Sequence, residues 1–147
     1  VRWRRRGGGD NRLELDVLAA AAELESRGAE DVVVIGASKG GTAAIAAGAA
    51  DGSGIDGVVS LSAVASYQDT DAVRAAGSLA VPTLLVVAED DGGPAEDAVE
   101  IEAACACENL ELLTVPSSRH GAELVRSTDA GAREVNRRVL EFLGGIG

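Results

Sequence analysis

Three short stretches hold side chains suited to moving protons and acyl groups. The first is Gly36-Ala37-Ser38-Lys39-Gly40-Gly41, set between a β-branched run and a helical pattern of small residues. A serine hydroxyl becomes a useful nucleophile when a base takes its proton and its oxygen stands clear of the backbone. A G-x-S-x-G turn between strand and helix supplies the second condition. The sharp turn lifts Ser38 Oγ off the sheet in a strained backbone conformation, and glycine on either side is expected to avoid a clash across the turn. The Lys39 backbone N–H then lies at a helix start, aimed at where an oxyanion would form. Two rival motifs fail: a phosphate loop needs a lysine between Gly41 and Thr42, and a dinucleotide loop needs a second glycine that is absent. A glycine-rich turn that only packs helix on sheet, with Ser38 as a cap, is the structural alternative.

The second stretch is Ala88-Glu89-Asp90-Asp91-Gly92-Gly93, directly after the apolar run Thr83–Val87. Acids in such a loop are commonly solvated turn formers, but here they should share a sheet edge with Ser38. A carboxylate at that edge can orient an imidazole and stabilise its charged form. The third stretch, Ser117-Ser118-Arg119-His120-Gly121, contains the only histidine in the chain. An imidazole has an ordinary pKa of about 6.5, so it can take and return a proton near neutrality.

The elements that must position these groups alternate regularly. Val32–Ile35, Val58–Leu61, Thr83–Val87 and Leu110–Val115 are short continuous apolar runs, the pattern of strands buried on both faces. Val1–Arg4 is a candidate stub of an earlier strand. Helical patterns occupy Asn11–Arg27, ended by Gly28, then Lys39–Ala50, Asp69–Leu79 and Pro94–Cys107. Thr128 or Asp129 is expected to cap a last helix that turns Val135, Val139, Leu140, Phe142 and Leu143 mostly inward. Strands and helices in strict alternation imply a mostly parallel sheet with right-handed crossovers. The fold class is therefore α/β, a three-layer sandwich in one domain over residues 1–147. In such sheets functional groups gather beyond the carboxyl ends of the strands, which is where all three stretches fall.

Composition narrows the function. The formal net charge of −11, from 24 acidic and 13 basic residues, excludes a nucleic-acid partner and disfavours an anionic membrane. No run of about 20 apolar residues is present, so no membrane insertion is expected. The arginine-rich start lacks the apolar segment of a signal peptide, giving a cytoplasmic address as the expectation. Only 2% of residues are aromatic, so the core must be aliphatic. Cys105 and Cys107 form one C-x-C on an expected helix. Residues two apart there point in different directions, so both are read as small semi-buried side chains without a local disulfide or metal.

Serine, then acid, then histidine, each after a successive strand, is the chain order of the α/β-hydrolase triad. On the Gly36–Gly41 turn, the Ala88–Asp91 loop and His120, the sequence resembles the α/β-hydrolase superfamily, close to bacterial dienelactone-hydrolase and lipase/esterase types. The resemblance implies Ser38 as nucleophile, His120 as general base and then acid, and Lys39 as donor of one oxyanion-hole N–H. It points to Asp91 as the triad acid, with Asp90 the close alternative. It implies a small-molecule acyl substrate and no cofactor. Family members carry further strands, and the loop after one of them gives a second oxyanion donor; none is found before Gly36. The Val1–Asp10 stretch resembles an earlier family strand and its arginine–glycine turn. The chain is thus expected to lack the first strands of the family fold, to expose a hydrophobic sheet edge and to be capable of self-association. A catalytically inactive truncated hydrolase serving as a binding module, and a doubly wound ligand-binding domain, are the rival functions.

Overall fold

The computed structural model describes residues 11–105 and 107–147. The candidate strand at Val1–Arg4 and the turn that follows it lie outside the described residues. The elements run α1 (Glu14–Ser26), β1 (Val33–Ala37), α2 (Lys39–Gly48), β2 (Gly57–Leu61), β3 (Ser66–Tyr67), β4 (Thr70–Asp71), α3 (Ala72–Ala76), β5 (Thr83–Ala88), α4 (Gly93–Cys105), β6 (Leu110–Val115), α5 (Glu123–Arg126) and α6 (Ala130–Gly144). Strands β1, β2, β5 and β6 form one sheet in that order, all parallel. Strands β3 and β4 pair separately as a small antiparallel hairpin.

Successive strand residues point to opposite faces, so a strand covered on both sides must be apolar throughout. That is what β5 does: Leu85 and Val87 enter one core with Val58, Ile45, Ala98 and Ile101, while Leu84, Val86 and Ala88 enter the other with Val59, Leu61, Val135 and Leu124. Helices α1–α4 supply residues to the first core and α5 and α6 to the second. The three-layer α/β arrangement expected from the alternation is the observed one.

Local details depart from expectation in four places. The segment expected as a helix from Asp69 begins instead with the β3–β4 hairpin, and α3 keeps only five residues, capped where the Asp71 carboxylate accepts the Arg74 N–H at 2.9 Å. Leu140 is not inward but 69% exposed. Val135 and Val139 stand on one stripe at a spacing of four, and the next residue turns about 100° away from it. Helix α4 stops at Cys105, so Cys107 lies beyond it and the helical argument against pairing does not apply. The two cysteines are joined by a disulfide, with Cα atoms 5.1 Å apart, inside the span such a bond requires. A short helix, α5, follows the histidine loop where none was expected.

Candidate active site

The end of β1 delivers Ser38. Its backbone holds φ 53° and ψ −125°, a region costly for a residue with a side chain. Two flanking hydrogen bonds fix it: Ser38 N–H donates to the Leu61 carbonyl at 2.8 Å, extending the β1–β2 ladder, and Gly41 N–H donates to the Ser38 carbonyl at 2.8 Å, opening α2. A side chain at Gly36 would collide with the Gly40 carbonyl, so glycine is required there. The expectation that Gly40 also avoids a clash is not met, because a Cβ there would meet nothing within 4 Å. The second close approach is at Gly41, where a Cβ would stand 2.6 Å from Ser60 Oγ of β2. Glycine at that position lets α2 settle onto the sheet.

The loop after β5 keeps pairing for two more residues with the end of β6 and the chain just past it: Glu89 N–H donates to the Val115 carbonyl at 2.9 Å and Asp90 N–H to the Ser117 carbonyl at 3.0 Å. That extension turns Asp91 toward the histidine loop. Asp91 Oδ1 lies 2.9 Å from His120 Nδ1 and Oδ2 lies 3.2 Å from it. The Asp91 side chain is 4% exposed and that of His120 46% exposed. Asp90 is exposed and makes no bond to the imidazole. Of the two candidate acids, the structure brings Asp91 to His120.

Two contacts that sequence reasoning missed hold the histidine loop. Gly121 N–H donates to the buried Ser62 Oγ at 2.9 Å, and Ser62, just past β2, has φ 51°. Arg119 Nε meets Asp129 Oδ2 at 2.6 Å, tying the other side of the loop to the start of α6. No sequence signal marks Ser62, since its role depends on a backbone conformation that serine rarely adopts. The Asp129 carboxyl is held far below its ordinary range by the Ala132 N–H, the Ser127 hydroxyl and the Arg119 guanidinium, in that order.

The histidine loop packs on the serine turn. A Cβ built on Gly121 would stand 3.8 Å from Ser38 N and 3.9 Å from Ser38 Cβ. No hydrogen bond joins Ser38 Oγ to the His120 ring; in unliganded sites such bonds are often long and tighten only around substrate. Ser38, Asp91 and His120 thus share one end of the sheet, with Lys39 as the first residue of α2. They line neither of two shallow clefts on the described surface. One, bounded by Ser117, Arg119 and Asp129, lies beside the histidine loop, and the other lies between α2 and α3.

No protein-family model and no curated protein matches this sequence. Solved structures do match its fold. A protein described as a dienelactone hydrolase from Klebsiella pneumoniae superposes with a TM-score of 0.74 at 19% identity, covering 90% of this chain and 62% of that one. An esterase of Pyrococcus furiosus gives 0.74 at 19% identity, over 95% of this chain and 66% of that one. A lipase–esterase related protein from Clostridium acetobutylicum gives 0.69 at 16% identity, over 94% of this chain and 79% of that one. The chain spans less than two thirds of the length of the first two. With its parallel sheet, flanking helices and strained serine turn, it has the α/β-hydrolase fold.

Proposed function

We propose that this chain carries the catalytic residues of a serine hydrolase acting on a carboxylic ester or related acyl bond of a small molecule. The observation that carries the reading is the His120–Asp91 hydrogen bond, on a loop in contact with the strained Ser38 turn. Asp91 accepts the Nδ1 proton of His120, which leaves Nε2 as the basic nitrogen. Nε2 takes the Ser38 hydroxyl proton as Oγ adds to the acyl carbon, and the carbonyl oxygen becomes an oxyanion facing the Lys39 N–H. The imidazolium returns the proton to the leaving alcohol or thiol. Water, deprotonated by the same imidazole, then releases the acyl group as a carboxylic acid and restores Ser38.

Among the described residues Lys39 supplies one oxyanion donor. Removing one such donor from a two-donor site costs on the order of 10²–10³ in rate, so turnover by this chain alone is expected to be slow. A second reading, a binding module without catalysis, is favoured by the absence of a hydrogen bond between Ser38 Oγ and the His120 ring. A fluorophosphonate probe separates the two. The hydrolase reading expects covalent labelling at Ser38 that Ser38→Ala abolishes. Folded protein that stays unlabelled supports the binding module.

A further inference from the structure

The chain contains one lysine and one tyrosine, and the fold puts them together beside the proposed nucleophile. Lys39 is the first residue of α2, directly after Ser38, and its Nζ lies 5.6 Å from the centre of the Tyr67 ring. Tyr67 is on β3, in the hairpin that follows β2 at the same end of the sheet as Ser38. We propose that Lys39 and Tyr67 form a recognition pair for a carboxylate. The preferred substrate of the proposed hydrolase, on whose reading this rests, is then an acyl ester or thioester carrying an anionic group several bonds from the scissile carbonyl.

Apart from its contact with the Tyr67 ring, the charge of Lys39 serves no interaction within the fold among the described residues. A cation in the first helical turn faces the positive end of the helix dipole, which is unfavourable. Although the chain has 24 acidic residues, no carboxylate lies within ion-pair distance of Lys39 among the described residues. The hairpin's own acids are engaged elsewhere. Asp69 Oδ2 accepts the Asn11 N–H at 3.0 Å, and Asp71 Oδ1 accepts the Arg74 N–H. An aromatic face holds an ammonium in place without neutralising it, as a carboxylate would. The positive charge is thus positioned and left available. The Cα atoms of Ser38 and Lys39 are about 3.8 Å apart as chain neighbours, so the ammonium stays within a small substrate's length of Oγ. In a molecule of net charge −11, an anionic ligand needs a local cation to overcome the general repulsion.

Two measurements test the pair. Because Lys39 is the only lysine, 13Cε-lysine labelling gives a single side-chain signal. Titration with monomethyl adipate should move it to saturation, methyl hexanoate should not, and Tyr67→Leu should weaken the response. In kinetics, mono-4-nitrophenyl adipate should exceed 4-nitrophenyl hexanoate in kcat/KM by about fivefold, the scale of one exposed ionic contact. A matched pair with the charge on the leaving side, 4-acetoxybenzoate against its methyl ester, shows which end of the substrate carries the anion. Lys39→Gln should erase the preference and Lys39→Arg should keep it, read as a ratio of substrates rather than an absolute rate. High salt should shrink it. A signal that never saturates or that follows both esters alike overturns the proposal, as does an anionic preference that survives Lys39→Gln. Saturable binding of monomethyl adipate without turnover or Ser38 labelling supports carboxylate recognition and sinks the hydrolase reading instead.

Discussion

His120 and Asp91 owe their pairing to contacts on both sides of a short loop. The Gly121 N–H is anchored on Ser62 Oγ, Arg119 is anchored on Asp129, and the Asp91 carboxylate is nearly excluded from water. A buried acceptor fixes the imidazole's tautomer, whereas an exposed one competes with solvent. Asp91→Asn should therefore lower kcat on a 4-nitrophenyl ester by on the order of 10⁴ through the wrong tautomer. Asp90→Asn should stay within a few-fold of the parent. Steady-state kinetics of the two variants decides between adjacent acids that the sequence alone could not separate.

Two elements hold the site in place, the strained turn between β1 and α2 and the capped start of α6. Gly36→Ala drives a methyl group into the Gly40 carbonyl, and backbone cannot yield as a flexible side chain would. It should cost roughly 1–3 kcal/mol or more in urea unfolding. Gly40→Ala meets open space within a helix and should gain about 0.5–1 kcal/mol. At α6 the Asp129 carboxylate caps the helix through the Ala132 N–H at 2.9 Å while holding Arg119. A carboxyl lowered on folding stabilises the native state above its unfolded pKa, ordinarily 3.8, and loses that contribution as pH falls through its folded value. Asp129→Ala should lower Tm clearly near neutral pH, and the gap to the parent should narrow below about pH 4. A gap that stays constant with pH, followed by thermal melts, would show that the charge is not what holds this end of the loop.

At the scale of the molecule, the sheet has two unlike edges and a fully covered centre. Strands β2 and β5 are buried along their whole length, whereas β1 has β2 as its only partner among the described residues and leaves Ile35 53% exposed. Ile35 pairs in register with Val59, so it points to the face where α5 and α6 pack, and of β1 it is Ala37 that packs against that core. An unpaired apolar edge is a template for another strand. The chain should self-associate, and Ile35→Thr, which keeps strand propensity while reducing apolar area, should shift it toward monomer in light scattering at matched concentration. An unchanged mass would dissociate the edge from assembly. None of the described helices is long and apolar enough to cross a membrane.

Local rules were enough for much of this architecture. β-branched runs between helical patterns gave four parallel strands within two residues of their observed ends, because a strand covered on both faces has no polar positions to confuse the signal. The Gly36–Gly41 spacing located the strained turn, and a histidine and an acid after successive strands followed from topology. What the sequence could not decide depended on neighbours far along the chain. Asp91 rather than Asp90 meets the imidazole because β5 pairs with β6 past its last apolar residue. Ser62 holds the histidine loop across a separation of 59 residues. The hairpin that carries Tyr67 to Lys39 is too short for any periodicity, and Cys107 reaches Cys105 because the helix ends between them. Periodicity reports which face of an element is covered. It does not report which side chains meet, because that is set by the register and crossing of elements that only the assembled chain defines.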